Sequence, residues 1–479
     1  MAMLRTKIVC TLGPAADDEA TLRAFIEAGM AVARINFSHG SYPDHARRIE
    51  IVRRLADELN RPVAILADLQ GPKLRVGALP ADGIGLSEGQ VLCLADEPSS
   101  ADPNLIPVPH PEVLRDVQPG DRILLDDGLL ELQVLGREGA QVRVQVVTGG
   151  VLLSRKGLSL PHTSLKMPSV TEKDQADAAF ALEQQVDYFA LSFVRCDEDV
   201  RHLRAWLAQR GAHTPIIAKI EKPEALDCIE EILAVSDGLM VARGDLGVEA
   251  PAEEVPLAQK RIIHACNAAG KPVITATQML DSMIRNPRPT RAEASDVANA
   301  ILDGSDAIML SGETAMGRYP VEAVRTMARI AAVTERSLPY TDWLQRTFLA
   351  RSRDVTDAIS QVACEIAAEL GARAILTSTT SGSTARQVAR HRPAIPIVAP
   401  TPNLATYRQL ALVWGVEPLL VDRFADTDAM IVTAVEAARA RGLVQDGDLV
   451  IITAGVPLGG SGLTNLLKVH RVGEEKGWR

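Results

Sequence analysis

The feature that most constrains the fold is an alternation of strand and helix patterns that recurs eight times. Each unit joins a short apolar run to an amphipathic helical pattern, which is typical of parallel sheets. We predict the strands at Lys7–Thr11, Val32–Phe37, Pro62–Asp68, Tyr188–Phe193, Ile216–Ile220, Gly238–Ala242, Pro272–Ala276 and Ala307–Leu310. Eight such units match a (β/α)₈ TIM barrel, and an open doubly wound sheet is the alternative.

A different pattern interrupts this alternation after the third strand. Residues 71–166 are rich in Gly and Pro and contain short β-like runs, so we predict a small inserted β-barrel that overhangs the barrel mouth. We expect residues 341–353 to form a linker or interface segment, and strand and helix patterns then resume. The predicted domains are an α/β catalytic barrel (1–70 and 167–340), a lid (71–166) and a C-terminal α/β regulatory domain (341–479).

Composition excludes several classes of protein. The chain has 51 Lys+Arg and 61 Asp+Glu, a net charge of −10 that argues against general binding to nucleic acid or an anionic membrane. The six cysteines form no CxxC pair, so reduced thiols are expected. No apolar run is long enough to span a bilayer, and we expect a cytoplasmic protein. Neither a GxxxxGK[ST] loop nor a strand-following GxGxxG occurs.

Charged residues follow two successive strands at positions where a buried parallel strand should be apolar. Lys219 and Glu221 end one strand, and Arg243 and Asp245 follow the next. The carboxyl ends of barrel strands form the catalytic face, so these four side chains should meet there. A structural ring of ion pairs at the barrel mouth is the alternative interpretation.

Polar residues also follow the other strands. They are Arg34, Asn36, Ser38 and His39 on the second, Asp68 with Lys73 and Arg75 on the third, Thr277 and Gln278 on the seventh, and Ser311 and Glu313 on the eighth. Carboxylates with oxygen-rich neighbours suit Mg²⁺ or Mn²⁺. Several Arg and Lys side chains suit an anionic phosphate substrate. Together they predict phosphoryl transfer.

Seven segments in this order make the chain resemble the pyruvate kinase family over essentially its whole length. They are Ile8–Ala15, Ala33–Gly40, Gly71–Arg75, Ala218–Glu221, Met240–Gly247, Ala276–Leu280 and Met309–Ala315. The resemblance implies an Mg²⁺-dependent enzyme (Mn²⁺ is the other candidate) that transfers the phosphoryl group of phosphoenolpyruvate to ADP, giving pyruvate and ATP. It also implies a homotetramer.

The resemblance assigns roles to the residues at the barrel mouth. Glu221 and Asp245 would ligate the divalent metal. Lys219 would stabilise the phosphoryl group as it leaves phosphoenolpyruvate, and Arg34 would neutralise charge on that group and on the nucleotide. The backbone N–H groups of Gly244 and Asp245 would hold the substrate carboxylate.

Further roles follow from the same resemblance. Thr277 would lie near the enolpyruvate carbon, with Ser311 in the same proton network, and Arg75 is counted with the catalytic residues. We expect Arg243 to organise the pocket by pairing with a carboxylate. The residues expected to approach the nucleotide are Pro14, Asn36, His39 and Lys156. Since Lys156 belongs to the insert, closure of the lid would complete the site.

One departure from the family pattern concerns the monovalent cation. From Asp68 to Lys73 the chain reads Asp-Leu-Gln-Gly-Pro-Lys, where many members read Asp-Thr-Lys-Gly-Pro-Glu and require K⁺. An ammonium group can supply one compact positive charge. We therefore predict activity without K⁺, as in the family's K⁺-independent branch, with Lys73 replacing the ion beside Asn36, Ser38, Asp68 and Leu69. Alternatively, Lys73 is a surface lysine and K⁺ is retained.

A loop in the C-terminal domain is a candidate effector site. It consists of Thr379, Thr380, Ser381, Gly382, Ser383 and Thr384 and leads into a predicted helix. Hydroxyl and amide groups at a helix N-terminus can bind phosphate, although an ordinary N-cap is the alternative. The position resembles the family's effector loop, which implies a phosphorylated activator. Many members carry lysine where Thr380 stands, so a preference for a bisphosphate stays open. Residues 455–465 would face this loop.

Two other functions remain open from the residues alone. Another barrel enzyme acting on metal-bound enolpyruvate, such as an aldolase or lyase, would explain Glu221 and Asp245 but not Lys156 or the inserted lid. A non-catalytic sensor of a phosphorylated metabolite would keep the effector loop, but the presence of Lys219 argues against it.

Overall fold

The first three barrel strands alternate with helices as expected. The structure is a computed structural model that describes residues 4–161, 167–349, 354–457 and 463–474. The strands are β1 (Lys7–Leu12), β2 (Met30–Asn36) and β3 (Ala64–Asp68), and the helices are α1 (Glu19–Ala28) and α2 (Tyr42–Glu58). All residues of β1 and β3 are buried, because barrel strands are covered on both faces.

The insert that follows β3 is an all-β unit with one short helix. Its elements are β4 (Ile84–Leu86), β5 (Val91–Ala95), β6 (Leu105–Pro107), α3 (Pro111–Asp116), β7 (Arg122–Leu125), β8 (Leu130–Glu138), β9 (Gln141–Thr148), β10 (Gly150–Leu152) and β11 (Leu158–Ser159). Six strands form a sheet in the order β11-β7-β8-β9-β5-β6, and β4 pairs with β10. Alternating residues of β8 and β9 enter one apolar core, so this curled sheet packs independently of the barrel.

The remaining barrel strands follow the insert. They are β12 (Tyr188–Leu191), β13 (Ile216–Ile220), β14 (Gly238–Ala242), β15 (Val273–Ala276) and β16 (Ala307–Leu310). Their helices are α4 (Glu172–Glu183), α5 (Asp197–Ala208), α6 (Pro223–Asp227), α7 (Ile229–Val235), α8 (Arg243–Glu249), α9 (Val255–Ala269), α10 (Arg291–Leu302), α11 (Gly312–Ala315) and α12 (Pro320–Glu335). Parallel pairing closes the barrel in the order β1-β16-β15-β14-β13-β12-β3-β2, which confirms the predicted (β/α)₈ fold.

A capping box fixes the point where the chain re-enters the barrel. Thr171 Oγ1 accepts from the Asp174 N–H at 3.1 Å, and Asp174 Oδ2 accepts from the Thr171 N–H at 2.9 Å. The other oxygen of Asp174 accepts from the Gly71 N–H at 2.9 Å. Because Gly71 begins the connection to the lid, one carboxylate ties the start of α4 to the start of the insert.

The C-terminal domain begins after a segment that is helical. Most of the residues predicted as a linker or interface segment lie in α13 (Tyr340–Leu349), and residues 350–353 lie outside the described part of the chain. Their role as a linker or interface stays a prediction. The domain contains α14 (Val355–Glu369), β17 (Ala374–Thr377), α15 (Ser383–Ala389), β18 (Ile397–Thr401), α16 (Leu404–Gln409), β19 (Val416–Leu420), α17 (Thr427–Ala440), β20 (Leu449–Ala454) and β21 (Leu466–Arg471). Its sheet order is β19-β18-β17-β20-β21, with β21 antiparallel.

Among the helices that the structure describes, none is both long and apolar enough to cross a bilayer. The predicted domain limits remain predictions, although the barrel, the curled sheet and the C-terminal sheet are distinct units.

Candidate active site

Four charged side chains meet at the carboxyl ends of β2, β3 and β13. Arg34 Nε lies 2.6 Å from Asp68 Oδ2, and Lys219 Nζ lies 3.2 Å from Asp68 Oδ1. Lys219 Nζ also lies 2.9 Å from Glu221 Oε1 and donates to Ser192 Oγ at 2.7 Å. Each of the four charged side chains is at most 10 % exposed. The cluster is therefore largely shielded from solvent, and Asp68 and Lys219 each pair with two charged partners.

Burial and charge set the protonation of this cluster. Burial lowers the pKa of Lys219, but the charges of Asp68 and Glu221 outweigh it and raise the pKa above its ordinary value. Burial also opposes ionisation of Asp68, yet Arg34 and Lys219 lower the pKa of that carboxyl. Lys219 is thus an ammonium at neutral pH. A buried ammonium at the barrel mouth can stabilise an anion with little loss to solvent screening.

Ser192 is a site residue that the sequence did not reveal. It falls inside the predicted strand Tyr188–Phe193, whereas β12 ends at Leu191. Its hydroxyl accepts from Lys219 and donates to the carbonyl of Leu69 at 2.7 Å. A polar residue at the last but one position of a predicted strand is the signal that could have identified it.

The start of α8 brings backbone donors into the same mouth. The Gly244 N–H donates to Thr277 Oγ1 at 2.7 Å, and this hydroxyl lies 2.6 Å from the carbonyl oxygen of Ala276. Thr277 and Gln278 both have positive φ, at 68° and 55°. A β-branched residue rarely adopts that conformation, and such strain is common at functional sites. The backbone after β15 thus turns sharply to place the Thr277 hydroxyl against α8.

Glu221 and Asp245 can serve as ligands of a divalent cation. Burial raises the pKa of Glu221, and the negative charge of Asp245 acts in the same direction, so the two carboxylates are close enough to interact. Asp245 is partly exposed, with 38 % of its side chain accessible. Within the described ranges, no group of three or more His, Cys, Asp and Glu side chains is placed to hold a metal ion. Two carboxylates fit Mg²⁺, which keeps several waters and binds substrate phosphates.

Arg243 points away from the cluster that it was grouped with by sequence. Its guanidinium pairs with Asp296 at 2.6 Å and donates to the carbonyls of Ala276 at 3.2 Å and Thr277 at 2.7 Å. The side chain therefore pairs with a carboxylate, as expected, and it holds the strained turn after β15 in place.

The end of β16 contributes a hydroxyl with no protein partner. Ser311 Oγ is buried and has no hydrogen-bond partner among the described residues. The backbone of Ser311 is held by Glu313, whose carboxylate accepts from the Ser311 N–H at 2.7 Å and the Leu280 N–H at 3.0 Å. Burial raises the pKa of Glu313. The unused hydroxyl remains available to a water or substrate.

The segment after β3 places two cations, Lys73 and Arg75, near His39. Lys73 Nζ lies 3.9 Å from Asp245 Oδ1. Burial lowers the pKa of His39, and the positive charges of Arg75, Lys73 and Arg34 add to that effect. The side chain of Lys73 therefore lies between α8 and the loop after β2. Of the other residues predicted there, Asn36 Oδ1 accepts from the Ser38 N–H at 3.1 Å, and Leu69 is fully buried.

The residues predicted to approach the nucleotide come from two units of the structure. Pro14 begins a 3₁₀ turn directly after β1, whereas Lys156 lies in the lid and pairs with Asp126 at 2.8 Å. Arg75 Nη1 donates to the carbonyl of Arg155 at 3.0 Å, which links the two chain segments that join lid and barrel. Between lid and barrel lies a cleft of about 790 Å³ that includes Lys73 and Asp245. The lid therefore overhangs the candidate metal residues.

The predicted effector loop lines a separate cavity of about 1020 Å³ in the C-terminal domain. Thr379 Oγ1 accepts from the Gly382 N–H at 2.9 Å, and Gly382 has a positive φ of 80° just before α15. Arg423 and Phe424 also line this cavity, although no sequence motif marked them. In the expected facing loop, residues 458–462 lie outside the described part of the chain.

Comparison with known proteins agrees with this geometry. Residues 3–324 match the pyruvate kinase barrel domain, and residues 357–470 match the pyruvate kinase alpha/beta domain. A pyruvate kinase of Geobacillus stearothermophilus is 51 % identical over 98 % of this chain and 81 % of its own length. Those of Clostridium acetobutylicum (47 %; 98 % and 100 %) and Staphylococcus aureus strain MRSA252 (48 %; 99 % and 81 %) are similarly close. The chain therefore belongs to the pyruvate kinase family of phosphotransferases.

Proposed function

We propose that this chain transfers the phosphoryl group of phosphoenolpyruvate to ADP, giving pyruvate and ATP. The observation that carries the proposal is the position of Lys219, whose ammonium lies within 3.2 Å of both Asp68 and Glu221 at the barrel mouth. A positive charge held there before substrate arrives needs no reorganisation to stabilise a transferring phosphoryl group.

Glu221 and Asp245 are the proposed ligands of Mg²⁺, with Mn²⁺ as an alternative. A divalent cation at these carboxylates would neutralise charge on the enol oxygen and on the transferring phosphoryl group. Lys219 already neutralises part of the Glu221 charge, so an arriving phosphoryl group would compete for the ammonium.

The contact between the start of α8 and the turn after β15 supports roles for Gly244, Asp245 and Thr277. The Gly244 N–H is bonded to Thr277 Oγ1, and we propose that the substrate carboxylate takes over this N–H and that of Asp245. The Thr277 hydroxyl would then be free to turn towards the enolpyruvate carbon. The unpartnered Ser311 hydroxyl would join it in one proton network.

Arg34 and Arg75 are the other proposed catalytic cations. Arg34 is oriented by Asp68 and by Thr11, whose hydroxyl accepts from Arg34 Nη1 at 2.8 Å. Its planar guanidinium is therefore held in place for phosphate. Pro14, Asn36, His39 and Lys156 would approach the nucleotide, and closure of the lid would bring Lys156 into the site.

We further propose that the enzyme is independent of K⁺. The partly exposed Lys73 lies near the carboxylate of Asp245 and the ring of His39, where a monovalent cation would also be attracted. Its ammonium would supply that charge permanently.

Regulation, assembly and location are also proposals. The hydroxyls and amides around Thr379–Thr384, with Arg423, suit a phosphorylated activator, and Phe424 offers an apolar surface beside them. Family membership supports a homotetramer. Cytoplasmic location rests on the composition of the chain.

A coupled assay tests the central proposal. Purified protein should form pyruvate from phosphoenolpyruvate and ADP in potassium-free buffer with Mg²⁺, as followed through lactate dehydrogenase, and chelation of Mg²⁺ should abolish turnover. Absence of pyruvate would refute the function. Strong activation by KCl would refute only the K⁺ proposal.

A further inference from the structure

The loop between β15 and α10 carries Thr277 in a backbone conformation that threonine does not favour. Thr277 and the following Gln278 have positive φ, at 68° and 55°. A β-branched residue keeps such a φ only where the surrounding structure imposes it. Because the direction of the Thr277 hydroxyl depends on this conformation, the groups that impose it bear on the reaction.

One guanidinium holds the peptide groups on both sides of Thr277. Arg243 Nε donates to the Ala276 carbonyl at 3.2 Å, and Arg243 Nη2 donates to the Thr277 carbonyl at 2.7 Å. The first carbonyl belongs to the peptide plane before the Thr277 Cα, and the second belongs to the plane after it. Since the two planes meet only through φ and ψ of Thr277, fixing both planes fixes both angles. Arg243 also directly precedes Gly244, whose N–H donates to Thr277 Oγ1 at 2.7 Å.

The guanidinium is in turn oriented by Asp296 on α10. Arg243 Nη1 lies 2.6 Å from Asp296 Oδ1, and within the described ranges Arg243 forms no other ion pair within 4.0 Å. The bond from Nη1 to Gln259 Oε1, at 3.4 Å, is longer and involves a neutral acceptor. Only 12 % of the Arg243 side chain is exposed, so solvent competes weakly for its donors. A charge-assisted hydrogen bond is roughly twice as strong as a neutral one, and Asp296 therefore determines the orientation of the guanidinium.

The helix that carries Asp296 is tied to the same loop at a second point. Glu293 lies three residues before Asp296, on the same face of α10. Its carboxylate accepts from the Ser282 N–H at 2.7 Å and from the Ser282 hydroxyl at 2.6 Å. Helix α10 is thus a fixed support for the loop, and a site residue held by such a support keeps its geometry.

We propose that Asp296 is a positioning residue that, through Arg243, holds the Thr277 hydroxyl in place for protonation of enolpyruvate. The role rests on the proposed function, which puts Thr277 near the enolpyruvate carbon. In that step the enolate left by phosphoryl transfer forms a C–H bond at its methylene carbon. The electron pair of its C=C bond supplies the new bond, its oxygen becomes the ketone oxygen of pyruvate, and solvent replaces the proton.

Removal of the Asp296 charge tests this role. Asp296→Asn keeps the size of the side chain, and 35 % of the Asp296 side chain is exposed, so the fold should tolerate the change. We expect kcat to fall about 10- to 100-fold, because a displacement of about 1 Å at a catalytic group can cost roughly 10²-fold. Steady-state kinetics with phosphoenolpyruvate and ADP measure the change. A kcat equal to that of the unaltered enzyme would overturn the proposal.

The same loop provides a matched control. Asp281 pairs with Arg285 at 3.0 Å, and at least half of each side chain is exposed. Exposed ion pairs contribute little, so Asp281→Asn should leave kcat within about twofold of the unaltered value. An equal loss of kcat in Asp281→Asn and Asp296→Asn would contradict a specific role for Asp296.

The solvent deuterium isotope effect on kcat separates positioning from a general loss of structure. A misplaced Thr277 hydroxyl should slow proton transfer, so the ratio of kcat in H₂O to kcat in D₂O should be larger in Asp296→Asn than in the unaltered enzyme. Partial unfolding would lower both rates in proportion and leave this ratio unchanged. A lower kcat with an unchanged ratio would assign Asp296 a structural role and overturn the proposal.

A double-mutant cycle tests whether Asp296 acts through Arg243. Arg243→Met removes the guanidinium, and thermal unfolding checks that the variant is folded. In this background, Asp296→Asn should lower kcat less than about twofold further, because the group that Asp296 orients is absent. A further loss of about 10-fold or more would show a different route of action and would also overturn the proposal.

The unaltered enzyme distinguishes failure of this role from failure of the proposed function. An unaltered enzyme that forms no pyruvate would refute the function together with the role of Asp296. An active unaltered enzyme with an equally active Asp296→Asn variant would refute the role of Asp296 alone.

Discussion

Both ends of the barrel carry carboxylates in ion pairs, but the pairing differs between the two ends. At the amino-terminal end Asp187 and Asp306 are buried, whereas 40 % of the Asp237 side chain is exposed. At the amino-terminal end, an aspartate directly precedes every second strand from β12 to β16. Each pairs with one arginine at 2.6–2.8 Å and accepts one N–H from the neighbouring strand. The sets are Asp187 with Arg53 and Ile65, Asp237 with Arg204 and Ile216, and Asp306 with Arg392 and Val273. These aspartates have local, saturated partners, as structural ion pairs should.

At the carboxyl end the charges are shared and incompletely matched. Asp68 forms ion pairs with both Arg34 and Lys219, and Lys219 forms ion pairs with both Asp68 and Glu221. Asp245 lies 3.9 Å from its nearest cation and is partly exposed. Burial of a charge therefore does not by itself identify a catalytic face. Charges with several partial partners can be reassigned to a ligand, whereas one-to-one pairs cannot.

Replacement of Lys219 tests this distinction and should change turnover most. Lys219→Met should reduce kcat about 10²- to 10³-fold, because it removes a charge fixed at the proposed site of phosphoryl transfer. Steady-state kinetics measure the change, and thermal unfolding checks that the fold persists. Lys222→Met, which removes a neighbouring lysine paired with Glu249, is the matched control and should retain most activity. Equal losses in both variants would mean that Lys219 is only structural.

Two substitutions should exchange the fixed positive charge of Lys73 for a bound K⁺ ion. Leu69→Thr with Lys73→Glu restores the residues found in K⁺-requiring relatives at two positions. We expect turnover of this double variant to fall on the order of 10- to 100-fold in potassium-free buffer and to recover with KCl. The unaltered enzyme should be insensitive to KCl. A double variant that needs no K⁺ would show that Lys73 does not occupy the role of the ion.

At the amino-terminal end, the same kind of change should affect stability instead of turnover. Asp187→Asn leaves Arg53 without a charged partner and weakens the bond from the Ile65 N–H, at a cost of about 2 kcal/mol. That corresponds to a Tm lower by about 4–8 °C, with kcat changed less than about twofold. The exposed pair of Asp197 and Arg201 provides the control, since Asp197→Asn should barely change Tm.

Much of this architecture is predictable because the signals are local. Apolar runs predict the eight barrel strands to within two residues at every end, because strands buried on both faces must be apolar. No continuous apolar run predicts the strand β19, since Glu417 and Pro418 interrupt the apolar residues. It lies at the edge of its sheet, where proline is tolerated. The helical conformation of α13 was not predicted, because residues 341–353 were interpreted only as a linker or interface segment.

The candidate site is predictable only in part. Strand ends identify Lys219, Glu221 and Asp245, and the family resemblance supplies their roles. Contacts between distant segments leave no pattern in the sequence, so neither the pairing of Arg243 with Asp296 nor that of Lys156 with Asp126 could be foreseen. The same holds for the paired aspartates at the other end of the barrel, which are ordinary Asp residues until the fold supplies their arginines.

At the amino-terminal end of the barrel, pH should change stability through ionisation and leave turnover unchanged. We expect this change to be small. His391 lies beside Arg392 and is 1 % exposed, with Nε2 3.4 Å from Asp357 Oδ1. Burial lowers the pKa of its imidazole below the ordinary 6.5, although Asp357 acts in the opposite direction. The unfolded chain then binds a proton that the folded chain does not. Stability should be full above pH 6.5 and fall below it, by at most about 1.4 kcal/mol per pH unit.

Tm measured between pH 5 and pH 8 should show this slope, and His391→Gln should flatten it. His213→Gln, at an exposed position, should retain the slope. If the slope persisted in His391→Gln, the acid sensitivity would belong to another group, and the contrast between the two ends of the barrel would lose its support from pH.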